Sequence, residues 1–142
     1  MPILRVQCNV ARYTPEQRDG FMGEAAQLFA DVLASPVERI RVFLLDVPSG
    51  LCHAGGMSSP PFDPVFYEFY LLAGRPAEHK LRLMRGFTAL LEQWLAADRS
   101  AIRGVCWHVP PDDWAIGERT AAELRSQEIA DRAREQGHPS AE

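Results

Sequence analysis

From residue 3 to residue 10 the chain alternates: Leu4, Val6, Cys8 and Val10 fall on one side, Arg5, Gln7 and Asn9 on the other. A period of two is that of a half-buried strand. The polar stretch that follows carries Thr14, Pro15 and Gln17. Threonine is a good N-cap, proline suits the first helical position, and glutamine three residues after the cap completes a capping box. This predicts a helix with Phe21, Ala25, Leu28 and Val32 as its apolar stripe, stopped by Ser35-Pro36. Residues 39–47 (RIRVFLLDV) are β-branched and apolar enough for a buried strand.

Residues 48–64 are rich in Gly, Pro and Ser and predict a long connection, a kind of loop that often carries function. The pattern then repeats. Residues 65–72 read as a strand. GRPAEHK opens a second helix, with Met84, Leu91 and Leu95 on one stripe and Phe87, Leu90 and Trp94 beside it. Residues 102–109 read as a fourth strand, 110–117 (PPDDWAIG) as a turn or short hairpin, 118–136 as a C-terminal helix, and the last six residues as a frayed end. A shift of 63 takes Arg12 to Arg75, Phe21 to Met84, Leu28 to Leu91 and Val32 to Leu95; a shift of 62 takes IRVFLLDVP (40–48) to IRGVCWHVP (102–110). The element order agrees with a duplication.

The expected organisation is one α+β domain over residues 1–142. A first βαβ half (2–48), a connecting loop (49–64), a second βαβ half (65–110) and a C-terminal turn and helix (111–142) make it up. A crossover makes the two strands of each half parallel. Four strands with two helices on one face form a two-layer, mixed sheet. Its other face carries apolar residues too, which a symmetric oligomer would bury.

Composition narrows the class. The 142 residues can bury a core, and 46% hydrophobic with 24% charged is ordinary for a soluble domain. No apolar run is long enough for a membrane span, and a signal peptide is not expected. The net charge of −4 argues against nucleic acid as a partner. Cys8, Cys52 and Cys106 are odd in number and widely spaced, which points away from disulfides and zinc and toward a reducing cytoplasm. His53, His79, His108 and His138 have no ligand spacing and read as surface or loop residues; Asp112 and Asp113 read as turn formers. No cofactor or metal is implied.

Pro2 is the candidate for chemistry. Trimming of Met1 would leave it a secondary amine, whereas inside a chain its nitrogen is an amide. A free α-amino group titrates near about 8, and burial or nearby cations lower that value. Such an amine is a competent general base at neutral pH. The bland alternative is a proline that only opens a strand.

PILRVQCNVARYTPEQR, the helix after it, SPVERIRV and the Gly-rich turn together resemble the tautomerase superfamily of 4-oxalocrotonate tautomerase. The tandem form is similar to the cis-3-chloroacrylic acid dehalogenase group, trimers of fused βαβ pairs. DDWAIG also resembles the end of malonate semialdehyde decarboxylase. The resemblance spans about residues 2–117 and implies roles. Pro2 would be the catalytic base, Arg75 the clamp on a substrate carboxylate, and Arg12, Arg41 and Arg103 further candidates. Trp114 would wall the pocket or pack a hairpin.

There are departures. The positions of the dehalogenase's histidine, second arginine and tyrosine fall on Phe29, Leu72 and Val105. Its water-activating glutamate falls near Ala115 and Ile116, with Glu118 out of register. The decarboxylase's carboxylate maps only roughly onto Glu38, and one of its arginines falls on Ala73. What survives is a base with one or two cations, enough for enol–keto proton transfer on a small anionic 2-oxo or enol acid. Phe29, Leu72 and Val105 suggest an apolar or aromatic substrate group. Hydratase, dehalogenase or decarboxylase chemistry, a ligand-binding trimer without catalysis, and a ferredoxin-like dimer with an incidental Pro2 remain alternatives.

Overall fold

The computed structural model describes residues 1–58 and 60–137. The first half is β1 (Ile3–Cys8), α1 (Pro15–Leu33) and β2 (Arg41–Asp46). The second is β3 (Phe66–Leu72), α2 (Ala77–Leu95) and β4 (Arg103–Val109). The sheet order is β2-β1-β3-β4. Strands pair in parallel within each half and antiparallel between halves. Among the described residues no helix is long and apolar enough to cross a membrane.

Local chemistry sets the ends of the helices. The Thr14 hydroxyl accepts from the Gln17 amide at 3.1 Å, and the Gln17 side chain accepts from the Thr14 amide at 2.9 Å. α1 and α2 end on Ala34 and Ala96, both left-handed, with φ of 48° and 47°. The same strained ending 62 residues apart is one mark of the duplication. Another is a pair of matching backbone clips. The Arg41 amide donates to the Pro2 carbonyl and the Arg103 amide to the Val65 carbonyl, both at 3.1 Å. The Arg41 guanidinium bonds the carbonyls of Glu38 and Ile40, and the Arg103 guanidinium those of Ser100 and Ile102.

The duplication changes register between strand and helix. Strands β1 and β3 correspond by 63, but the helices correspond by 62. The buried stripe of α1 is therefore Phe21, Ala25, Phe29 and Leu33, and that of α2 is Leu83, Phe87, Leu91 and Leu95. Leu28 and Met84, expected on these stripes, are only half-buried at their edges. Phe29 lies in the centre of the core, at 0% exposure, with its ring edge-on to Phe87 at 4.9 Å and Phe69 at 6.2 Å. It cannot line a pocket.

Leu4, Val6 and Cys8 of β1 and Tyr67, Phe69 and Leu71 of β3 face the helices. The opposite face is not covered by either long helix. It carries Phe43, Ile3, Arg5, Glu68, Tyr70, Val105 and Trp107, in the registers that set them side by side. β2 is an edge strand with Arg41, Phe43 and Asp46 exposed, not the buried strand that its composition predicts. β1 stops at Cys8, and Val10 enters a 3-10 turn instead of extending the stripe.

The C-terminal segment is more broken than one helix. Ala115–Ile116 (β5) and Arg119–Thr120 (β6) form a small hairpin. Gly117, at φ 63°, makes its two-residue turn possible. A capping box of Thr120 and Glu123 then starts α3 (Ala121–Leu124). The chain leaves helical geometry at Arg125 before α4 (Ser126–Gly137). Of the expected frayed end, 137–142, Gly137 closes α4, and residues 138–142, with His138, lie outside the described residues.

Candidate active site

β1 and β3 are antiparallel, so the start of β1 lies beside the end of β3 and the loop into α2. This topology carries Arg75, just ahead of α2, to the chain's N-terminus. Arg75 is half-buried, and its guanidinium donates to the Leu33 carbonyl at the end of α1 at 2.8 Å. Burial and the neighbouring Arg132 pull its pKa down to about 10, so it stays cationic at neutral pH.

Pro2 is buried, with Met1 in place ahead of it. The terminal amine is pulled from 8.0 to about 6, first by burial and then by Arg75, Arg125, Arg39 and Arg132. On another side the Met1 residue packs against an apolar cup of Leu72, Trp114 and Ala121, flanked by Ile116, Tyr70 and Val109. Trp114 both walls this cup and anchors the hairpin, its carbonyl accepting from the Ala121 amide at 2.8 Å. The start of the chain thus sits between a field of guanidiniums and an apolar recess.

The other expected residues are placed apart. Arg12 follows the far end of β1, about 20 Å of strand from Pro2 at about 3.3 Å per residue. It lines a separate cavity of about 330 Å³ with Asn9 and Asp63. There the Asp63 carboxylate accepts from the Asn9 amide and, in a short bond, from the Tyr13 hydroxyl, pinning the end of the long connection. Arg103 opens β4 at that same far end. Arg41 adjoins Pro2 through its backbone, but its guanidinium is engaged by two carbonyls. Val105 lies opposite Glu68, in the middle of the open sheet face and away from the cup. Glu38 and Glu118 are exposed.

Three arginines at the site have no place in the sequence-based assignment: Arg39, Arg125 and Arg132. Arg39 and Arg132, with Arg75 and His79, line a cavity of about 690 Å³ between the end of α1, the start of α2 and α4. His79 is therefore a half-buried cavity residue rather than a surface one. Its ring Nδ1 has no hydrogen-bond partner among the described residues. A signal for Arg125 and Arg132 does exist in the sequence, since with Ile129 and Gln136 they recur at helical spacing. A charged, Ala-rich segment nonetheless reads as a solvated helix.

No protein-family model matches the chain, and no curated protein matches it. Solved structures do. Native fused 4-OT is 25% identical, with a TM-score of 0.78 over 86% of this chain and 98% of its own. The F6 fused 4-OT wild-type asymmetric trimer is 24% identical over the same shares, also at 0.78. Pt0534 inactivated by 2-oxo-3-pentynoate is 13% identical over the same shares, at 0.79. The fold is that of the tautomerase superfamily. Within it the chain has the tandem, fused 4-OT architecture, which sets aside a ferredoxin-like sheet.

Proposed function

We propose that the chain, once Met1 is removed, is a tautomerase-type enzyme in which the Pro2 amine moves a proton on a small 2-oxo or enol acid. The observation that carries this reading is the setting of the terminal amine, beside Arg75 and next to an apolar cup. Arg75 takes the substrate carboxylate, a role suited to a planar guanidinium. Leu72 and Trp114 take its apolar part, in the space that the Met1 side chain fills before processing. A neutral amine abstracts the proton, and the cations around it stabilise the negative charge that develops on the enolate oxygen. The trimers among the structural neighbours support a homotrimer here. Dehalogenation and decarboxylation are less well served, because Ala115 and Ile116 carry no carboxylate and that of Glu38 is exposed to solvent.

The test is ketonisation of phenylenolpyruvate by a preparation whose first residue is established by mass spectrometry. Protein beginning at Pro2 is expected to be active, and Pro2→Ala or Pro2→Gly, which keep a primary amine, to retain part of that activity. Protein keeping Met1 should be inactive, since its proline nitrogen is an amide. Full activity from the Met1 form sinks the mechanism. A second reading, a ligand-binding protein without catalysis, draws on Met1 itself: its packing in the cup is a stable arrangement if the residue is never removed. Met1 retained on protein from its native source decides for that reading.

A further inference from the structure

The far end of the sheet holds a cavity that the proposed chemistry does not use. It measures about 330 Å³, a size for one small molecule, and lies where the end of β1 meets both ends of the long connection. The duplication puts Val65 at this end in the position that Pro2 has at the other. The two carbonyls accept alike, from the Arg103 and Arg41 amides. The Val65 nitrogen, however, is a peptide amide that donates to the Asp63 carbonyl at 2.9 Å. This end can bind, but it has no amine to move a proton.

Two charges face the cavity without meeting. Among the described residues, the exposed Arg12 guanidinium has no carboxylate within 4.0 Å, and the Asp63 carboxylate has no cation within that distance. Elsewhere such neighbours close on each other, as Arg39 does on Glu128. Asp63 is not free to swing across. It accepts from the Asn9 amide at 3.2 Å and from the Tyr13 hydroxyl, which burial and Asp63 itself keep protonated. The backbone of Arg12 is set by the 3-10 turn that follows β1. A ligand that brings one anionic and one cationic group satisfies both, each through charge-assisted hydrogen bonds. A dianion would meet Asp63 as a like charge, and a simple amine would meet Arg12 as one. The rest of the wall includes Val47, Leu51 and Phe62. Leu51 is 74% exposed, an apolar surface that a ligand side chain would cover.

We propose that this cavity binds an α-amino acid with an apolar side chain. Arg12 takes the carboxylate, Asp63 the ammonium group, and Leu51 and Phe62 the side chain. The site is independent of Pro2 and of Met1 removal.

The test is titration calorimetry of the full chain with three probes that share a carbon skeleton. They are L-leucine, 4-methylpentanoate, which lacks the amine, and 3-methylbutylamine, which lacks the carboxylate. Leucine is expected to bind more than tenfold more tightly than either, and more than tenfold more tightly than glycine. Arg12→Ala should erase the preference for leucine over the amine, and Arg12→Lys should restore part of it. Asp63→Asn, which keeps an acceptor for Asn9 and Tyr13, should erase the preference over 4-methylpentanoate. Circular dichroism checks that each variant is folded, and the exposed Arg12 keeps the test decisive if Asp63→Asn is not. Amide NMR shifts on adding leucine should centre on Asn9, Arg12 and Ser49. Any of four results overturns the proposal: no leucine binding at millimolar concentration, equal affinity for the three probes, unchanged leucine affinity in Arg12→Ala, or amide shifts confined to Arg75 and His79.

Discussion

At the scale of single residues, the terminal amine is the group whose chemistry depends most on the fold. Burial and four arginines hold it near 6 when Met1 is present. The unfolded chain keeps the ordinary value of 8.0, so between pH 8 and 6 the unfolded state binds more protons than the folded one. Stability of the Met1 form is therefore expected to fall as pH drops through that window, which denaturant titrations at pH 6 and 8 can measure. On the proposed mechanism the same surroundings act on Pro2 once Met1 is removed, and kcat/KM should rise with pH and level off below about 8. A profile that keeps rising above pH 9 contradicts a depressed amine. Arg75→Ala should raise KM for an anionic substrate more than tenfold, since a charge-assisted hydrogen bond is worth on the order of 2 kcal/mol. It also strips the Leu33 carbonyl of a donor, so its stability needs measuring alongside KM. Pro2 and Arg75 were legible in the sequence as candidates, because each stands at a defined point before a strand or helix. Arg39 and Arg132 were not, because their meeting depends on α4 folding back across the ends of α1 and α2. Phe29 misled in the opposite way: matching it to a relative's polar residue says nothing about which side of α1 packs on the sheet.

At the scale of elements, order and type were readable from the periodicities, but register inside the repeat was not. Counted from the strand starts, which correspond by 63, α2 begins one residue sooner after β3 than α1 does after β1. A single residue turns a helix by about 100°, which moves the inward stripe from Met84 to Leu83. The residues that pack between α1 and α2 give this register a test. A Cβ at Gly20 would lie 2.3 Å from the Trp94 ring, and one at Gly86 would lie 2.3 Å from a Leu28 methyl. Both contacts are far inside van der Waals distance, so the side chains must move. Gly20→Ala is expected to destabilise the protein by about 1–3 kcal/mol despite alanine's better helix propensity. Urea melts should show it, and a gain in stability would mean that the helices lie farther apart. Thr14→Ala should cost about 1 kcal/mol by removing one arm of the capping box. The C-terminal helix was read as continuous because its composition is helical throughout. The break at Arg125 arises from tertiary placement, as α3 docks Ala121 beneath Trp114 and α4 sets off toward Arg39.

At the scale of the molecule, the sheet face opposite the helices carries the unfinished part of the fold. Phe43 on one edge strand and Trp107 on the other are 47% and 50% exposed. Between them Arg5 and Glu68 pair at 2.9 Å, and the Trp107 indole donates to the same Glu68 at 3.1 Å. In water that ion pair contributes little. Covered by another protomer it becomes a fully partnered polar contact inside an apolar rim, a composition that suits a defined interface better than a solvated surface. An interface of this kind explains why β2 and β4 keep aromatic residues on exposed edges. It also predicts where assembly is vulnerable. Trp107→Glu places a second carboxylate beside Glu68 and should convert the proposed trimer to monomers of 15.9 kDa, as read by light scattering at micromolar concentration. Trp107→Phe keeps the apolar contact, loses only one hydrogen bond, and should remain assembled. Because Pro2 and the cup adjoin this face through Ile3 and Trp114, the monomeric variant is also expected to lose ketonisation activity while its folded signal persists. A wild-type protein that stays monomeric at that concentration removes both the trimer and this coupling.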